Sequence, residues 1–406
     1  MSQRCAGDEQ FSLAALTMAE LAELASPEDG RLAPAAGISV KPIDYDWGTP
    51  ATAGLWRVDL RQLRDEMVSR RSFFVKLLRH PRLWPGLSRL PDEESRQRFI
   101  DYFPWRFELD MYESGIGDAL PPGLRTPVLH AVKHADANHI ALWLEYVEQK
   151  PGRWGPADYR RAAYLLGRMA ARRRDGAAVN ERLPAMCQVG IPGESLRFYV
   201  RSRLTDAALP ALRDPDLWRH PLIEQALRHI GDPALPADML ALAERLPVIL
   251  DLLAGLPQTH AHGDASPQNL LRPAGEPGTL VVIDWGFGDL LPVGFDLGQL
   301  LVGLAHAGET DPGELPAIDA AIMPGYLDGL ADEGYQVDAG LVRAGYLGGL
   351  AVRSALCALP LERLTQPAET DEQTALFATR LRLTRAMVDL ANDVEPGVLA
   401  RMPAGG

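Results

Sequence analysis

The hydrophobic period shifts from mainly strand-like to mainly helical after Val147 in this chain of 406 residues, and that shift limits the folds open to it. Between 38 and 147 the apolar residues come in short alternating runs: ISVKPIDYD, LWRVDL and SFFVKLL, then VLHAVKHAD at 128–136 and HIALWLEYV at 139–147. Period two with β-branched and aromatic side chains marks half-buried strands. WGTPATAG joins the first two runs as a small-residue turn, which predicts a hairpin with a third strand following. The stretch 91–115 reads as helix, broken or begun at Pro104. After Val147 the linker EQKPGRWGP intervenes, and beyond it the period becomes helical at 157–174, 209–230, 236–255, 293–306, 316–330, 340–357 and 370–393. A strand pair returns only near 268–284, as NLLRP and TLVVIDWG around the turn AGEPG. Residues 11–25, stopped by SPEDG, read as one further helix. The order of elements predicts an α+β, two-lobed chain: a helical extension at 1–37, a small β-rich lobe at 38–147 and a large, mainly helical lobe at 148–406.

Charge and cysteine content exclude several functions. A net charge of −13 argues against binding a phosphate backbone as the main task, so no nucleic-acid partner is expected. Cys5, Cys187 and Cys357 are odd in number and far apart, which suits neither a disulfide framework nor a zinc site. No apolar run approaches membrane length, and acidic residues stand where a signal peptide needs a basic start; a cytoplasmic protein without a membrane partner is expected. Between 251 and 350, fourteen Asp/Glu face only Arg272 and Arg343, a formal charge of −12. This predicts either a solvated acidic surface or a cleft that concentrates cations, whether magnesium or a cationic acceptor.

The chemistry is concentrated in His262-Gly263-Asp264-Ala265-Ser266-Pro267-Gln268-Asn269, followed by Val281-Val282-Ile283-Asp284-Trp285-Gly286. Phosphoryl transfer needs a carboxylate that orients a hydroxyl and takes its proton, and oxygen ligands for the Mg2+ that bridges the phosphates. Asp264 fits the first requirement; Asn269 and Asp284 fit the second, because the hairpin between them returns both to one end. An all-oxygen set suits magnesium and not zinc.

HGDASPQN and IDWGFG resemble the catalytic and metal-binding loops of the aminoglycoside phosphotransferase and choline kinase-like family, whose fold is protein-kinase-like. The resemblance spans roughly residues 38–300 and is strongest over 262–296. It implies Asp264 as catalytic base, Asn269 and Asp284 as magnesium ligands, His262 as a support of the loop, and Asp296 as its brace through backbone amides. ATP or GTP is the implied donor. In the first lobe, the loop from Trp47 to Gly54, with Thr49 and Gly54, stands where phosphates are cradled. Lys76, ending Phe73-Phe74-Val75-Lys76, corresponds to the lysine of the α/β-phosphates. Glu108 corresponds to its glutamate partner, with Asp110 and Glu113 as nearby alternatives. Glu145 and Val147 fall in the connector whose main chain bonds the nucleotide base, where a plain strand end is the other reading.

Two departures stand out. Ala265 and Ser266 are smaller than the family's residues after the aspartate, which implies a roomier acceptor side, and the metal loop reads Asp-Trp-Gly-Phe-Gly. His260-x-His262 and His134-x-Asp136-x-x-His139 are read as ordinary polar residues, and Arg160, Arg161 and Arg172–Arg174 as helix-end or surface cations. The expected activity is Mg2+-dependent O-phosphorylation of a small hydroxylated molecule. An aminoglycoside or other natural product comes first; a metabolic amino alcohol, sugar or nucleoside is the alternative, and a catalytically silent module the rival of another class. Helices within 157–255 are expected to wall the acceptor. The short segment from Asp284 to Phe295 leaves little platform for a peptide substrate.

Overall fold

The structure, a computed structural model, describes residues 10–24, 35–44, 50–64, 67–90, 92–182, 191–365 and 371–401. After a helical turn at 10–14 come helix α1 (Met18–Leu24) and strands β1 (Ala35–Pro42), β2 (Thr52–Arg64) and β3 (Met67–Arg79). Helices α2 (Glu93–Tyr102) and α3 (Phe107–Glu113) precede β4 (Leu124–Arg125), β5 (Leu129–Asp136) and β6 (His139–Glu145). The second lobe opens with α4 (Pro156–Arg172), α5 (Glu194–Tyr199), a π-helix (Val200–Ala208), α6 (Leu209–Arg213), α7 (Pro215–Trp218), α8 (Pro221–Ile230) and α9 (Leu235–Gly255). The short strands β7 (Gln258–Ala261), β8 (Leu270–Leu271), β9 (Leu280–Val282) and β10 (Asp289–Pro292) follow. Helices α10 (Asp296–Ala307), α11 (Leu315–Asp332), α12 (Ala339–Arg353) and α13 (Asp371–Asn392) complete the order.

The fold is two-lobed and kinase-like. The first lobe is an antiparallel sheet in the order β1-β2-β3-β6-β5. Alternate side chains leave on opposite faces, so each face needs a cover. On one, Trp56, Val58, Phe73, Val75 and Trp143 are buried with Ala14 and Leu21 of the N-terminal segment. On the other, Leu78, Ile140, Leu142 and Leu144 are buried with Leu109 of α3. The second face sets Glu108, the neighbour of Leu109, against the strand that carries Lys76.

In the helical lobe, glycines let backbones touch. A Cβ at Gly167 of α4 would lie 2.2 Å from the Tyr326 carbonyl of α11, and one at Gly329 would lie 2.1 Å from the Tyr164 carbonyl. The segment before α10 docks on α12 in the same way: a Cβ at Gly345 would meet the Val293 carbonyl at 2.0 Å. Tyr326 Oη accepts the Gly294 N–H at 3.0 Å. These contacts fix α10, α11 and α12 around the β7–β10 ladder, which runs from Ala261↔Asp289 to Gln258↔Pro292. The loops 262–269 and 283–288 therefore emerge side by side.

The structure departs from the sequence reading in identifiable places. The helix expected at 11–25 is interrupted at 15–17, where Thr17 and Glu20 form a capping box: Thr17 N–H to Glu20 at 2.6 Å and Glu20 N–H to Thr17 Oγ1 at 3.3 Å. The helix expected at 209–230 is three helices, because Pro215 and Pro221 each start a new one behind the caps Asp214 and His220. The helix expected at 340–357 ends at Arg353, and β6 ends at Glu145. Strands β4, β7 and β10, of two to four residues, are too short to leave a period. Among the described residues no helix is long and apolar enough to cross a membrane.

Candidate active site

The loop after β7 is held by hydrogen bonds to its own backbone. Asp296, 3 % exposed at the first turn of α10, accepts the His262 N–H at 3.1 Å and the Gly263 N–H at 2.8 Å. Gly263 has φ of 77°, and a Cβ there would lie 2.1 Å from the Phe287 carbonyl, so glycine is required for both conformation and space. His262 is fully buried beside the Trp285 ring. Its Nδ1 accepts the Asp264 N–H at 3.2 Å, so Nε2 is the nitrogen that donates to the Ile283 carbonyl, 2.9 Å away. One imidazole thus ties the 262–269 loop to the 283–288 loop.

Asn269 is held equally firmly. Its Nδ2 donates to the Asp264 carbonyl at 2.8 Å, which leaves Oδ1 as its outward acceptor, and its own carbonyl accepts the Ile283 N–H at 3.0 Å. Asp284, next in the chain, is the one described non-glycine residue with positive φ, at 59°. Asp tolerates the left-handed region better than most residues, and such strain gathers at functional sites. Its side chain as a whole is 45 % exposed, while its carboxylate faces the Lys76 ammonium. Among the described residues no three His, Cys, Asp or Glu gather as a metal cluster. The amide oxygen of Asn269 and the carboxylate of Asp284 still fit a hard cation that completes its shell with nucleotide oxygens and water.

The first lobe contributes a charge bridge. Lys76 Nζ lies 2.5 Å from Glu108 Oε2 and 3.2 Å from Asp284 Oδ1, with the lysine and Glu108 side chains almost fully buried. Burial disfavours the ammonium, but Asp284 and Glu108 outweigh it and hold Lys76 above the usual lysine range. Burial likewise opposes ionisation of Asp284, while Lys76, His262 and Arg353 keep its carboxyl below the ordinary value. Asp110, half-buried, and Glu113, exposed, make no ion pair with Lys76 among the described residues.

The remaining expected nucleotide residues lie in less distinctive places. The Glu145 carboxylate holds Arg125 at 2.7 Å, and the Glu145 N–H donates to the Val128 carbonyl at 2.8 Å. Val147 lies in a connector fastened to the second lobe: Lys150 N–H donates to the Arg272 carbonyl at 2.7 Å and Ala274 N–H to the Glu148 carbonyl at 2.9 Å. At Gly54 an added Cβ would collide with the Trp56 ring at 1.9 Å, so the glycine makes room for a buried tryptophan. Thr49 lies outside the described residues.

The reading of the acceptor side changes. Ala265 is fully buried and Ser266 is 8 % exposed; their small side chains let the loop pack on α10, where a Cβ at Gly303 would lie 2.6 Å from Ser266 Cβ. They do not enlarge the acceptor side. What stands beside Asp264 is Arg353, at the end of α12, with Nη2 2.8 Å from Asp264 Oδ1. Its guanidinium lies 4.3 Å from the Phe287 ring centre and 5.7 Å from that of Tyr199, whose hydroxyl donates to the Arg353 carbonyl at 3.2 Å. Phe287 belongs to the IDWGFG loop, but no local pattern in the sequence announces Arg353 or Tyr199.

The acidic segment is also not a bare cation trap. Asp251, Glu276, Glu314, Asp328 and Glu333 pair with Arg197, Arg125, Arg153, Arg160 and Arg168, all from outside the segment. Arg173, read as a helix-end cation, is instead buried over Trp285.

A profile described as the phosphotransferase enzyme family matches residues 113–336, a span that contains Asp264, Asn269, Asp284 and Asp296 and begins after Lys76 and Glu108. Similar solved structures include an aminoglycoside phosphotransferase from Alicyclobacillus acidocaldarius, 15 % identical over 83 % of this chain and 90 % of that one, with a TM-score of 0.39. A choline kinase from Cryptosporidium parvum is 14 % identical over 88 % and 93 %, with a TM-score of 0.43. An aminoglycoside phosphotransferase from Streptomyces rimosus is 17 % identical over 77 % and 92 %, with a TM-score of 0.36. No curated protein matches the chain. With more than half of its residues inside the profile, the chain belongs to the phosphotransferase enzyme family.

Proposed function

We propose that the chain transfers the γ-phosphoryl group of a magnesium–nucleoside triphosphate to a hydroxyl of a small molecule, with Asp264 as the general base. The carrying observation is the bridge of Lys76 to both Glu108 and Asp284, which joins the two lobes through side chains 208 residues apart. A buried lysine held charged by two carboxylates is costly to build for stability alone, and it suits a nucleotide phosphate.

In this reading Lys76 neutralises the α/β-phosphates and Glu108 aims it. Asn269 and Asp284 would hold Mg2+, which when bound offsets charge on the β- and γ-phosphates. The acceptor hydroxyl donates its proton to Asp264 as its oxygen bonds the γ-phosphorus. The bond from that phosphorus to the β–γ bridging oxygen breaks, and the nucleoside diphosphate leaves with the electron pair; Asp264 then releases the proton to water. Asp296 and His262 fix the backbone that carries Asp264, so that positioning precedes chemistry. The β6–α4 connector, with Glu145 and Val147, offers main-chain groups to the base of ATP or GTP. Thr49 and Gly54 complete the proposed phosphate-side set.

An amino-sugar acceptor fits the family and the acidic 251–350 segment. Many of that segment's carboxylates are paired with arginines, so the family likeness is the support that remains, beside other hydroxylated natural products and metabolites. The test is turnover of Mg-ATP and Mg-GTP against a panel of hydroxylated small molecules. Phosphorylated product that vanishes in Asp264→Ala supports the reading. Product formation unchanged in that variant would falsify it.

A further inference from the structure

The geometry points to Arg353, set beside Asp264 in the corner of the Phe287 and Tyr199 rings, as the residue that selects the acceptor: a hydroxylated molecule bearing an anionic group on an apolar body, not a polycation. This rests on the phosphotransfer reading above and names the substrate class of the same site.

Three observations carry it. First, the charge of Asp264 is already answered. Arg353 Nη2 stands 2.8 Å from its Oδ1, so a cationic acceptor finds a neutral pair and not a free carboxylate. Among the described residues Asp264 is the carboxylate paired with this arginine, through one end of a planar group with five N–H donors. Such a fork can hold a second carboxylate in its plane while keeping the first.

Second, the arginine is built in. Its side chain is 12 % exposed, and the two rings that meet its guanidinium lie edge to face, 6.5 Å apart at 75°. Packing against aromatic faces fixes the guanidinium plane and so aims the donors at its rim. Phe287 remains 43 % exposed, an apolar surface directly beside that rim. An acceptor whose hydroxyl reaches Asp264 can lay an apolar body on Phe287 and an anionic group on Arg353.

Third, a second positive charge stands close by. Arg203 lies on the π-helix that continues from Tyr199, and both Arg203 and Arg353 act electrostatically on the Tyr199 hydroxyl and the Cys357 thiol. A π-helix of nine residues is rare, and such distortions favour functional sites. An ammonium laid on the Tyr199 side of Arg353 therefore meets the field of two guanidinium groups.

The experiment is calorimetric titration of the protein saturated with magnesium and a non-hydrolysable ATP or GTP analogue. Three probes share a phenyl body and a hydroxyl but differ in charge: 3-phenyllactate, its primary amide, and 2-amino-3-phenylpropan-1-ol. The expected order of affinity is anion, neutral, cation, with roughly tenfold or more between the ends, the size of a charge-assisted hydrogen bond. Arg353→Ala should erase the order. Arg353→Lys, which keeps the charge without the fork, should retain the anion's lead at weaker affinity. The inference is overturned if the wild-type protein binds the amine as tightly as the carboxylate, if the carboxylate does not bind, or if Arg353→Ala leaves the order intact. The wild-type order needs no variant to fold. Binding is read without turnover, so a failed charge order leaves phosphotransfer standing, and failed phosphotransfer leaves the charge order readable.

Discussion

The two halves of the site are held by different forces. The 262–269 loop is fixed by hydrogen bonds between backbone and the side chains of buried Asp296, buried His262 and half-buried Asn269. The Lys76 arm is fixed by net charge, across an interface between lobes, with Glu108 on one side and Asp284 on the other. Hydrogen bonds to backbone define geometry whether or not a ligand is present. A balance of charges is reset when phosphates and a cation arrive. In the proposed reading a rigid half would do the proton chemistry and a responsive half would meet the nucleotide.

The largest expected effect separates the two directly. Asp264→Ala should lower turnover about 10³-fold, within the usual range for a lost general base, and leave nucleotide affinity nearly unchanged. Steady-state rates beside nucleotide titration check this. A comparable loss of nucleotide binding would mean that the halves are not separable.

Asp296→Ala attacks the rigid half from behind. It leaves the His262 and Gly263 N–H groups buried without their acceptor, and unmet buried donors cost about 1–3 kcal/mol each. A loss of about 3 kcal/mol in urea unfolding is expected, with lower turnover and an unchanged nucleotide Kd in the folded fraction. Unaltered stability would show that the loop is held by something else.

Glu108→Gln probes the responsive half. Lys76 keeps Asp284 but loses its second carboxylate, so its position is less defined. The nucleotide KM should rise about tenfold, equivalent to about 1.4 kcal/mol, with a smaller change in kcat. A fall confined to kcat would place Glu108 in the chemistry and blur the contrast.

The same contrast explains what the sequence disclosed. HGDASPQN and IDWG were legible because their partners are near in sequence or form one hairpin: Asn269 bonds Asp264 five residues back, and Ile283 pairs with Asn269 across the β8–β9 turn. The two-lobed division was legible because the period of apolar residues turns mainly helical after Val147. The Glu108 contact with Lys76 was read only by resemblance, with Asp110 and Glu113 left open, because a buried pair across elements leaves no spacing signal. Arg353 was not legible at all. It reaches Asp264 only because Gly345 lets α12 dock on the Val293 backbone, a packing fact that no local pattern carries. The split of 209–230 at Pro215 and Pro221 was present in the residues, but helical periodicity persists through proline-started helices and hid the breaks.

The smallest effect tests whether the rigid half is rigid at every pH. His260, 5 % exposed on the strand that leads into the loop, is pushed down to about 4 by burial and by Arg173, against a weaker opposite pull from Asp175. Its Nδ1 has no hydrogen-bond partner, so the folded site offers nothing to hold an added proton. In the unfolded chain the imidazole titrates near 6.5. Between these values the unfolded state binds the extra proton, so stability falls as pH drops through 6.5 and stops falling on this account below about 4. From pH 7 to 5.5 the expected loss is about 1 kcal/mol, obtained by integrating the proton difference over that window. Urea midpoints at the two pH values should differ accordingly in the wild type, and less in His260→Gln, which cannot titrate. If the variant loses as much stability as the wild type, the acid sensitivity lies elsewhere, and the strand feeding the 262–269 loop is indifferent to pH in this range.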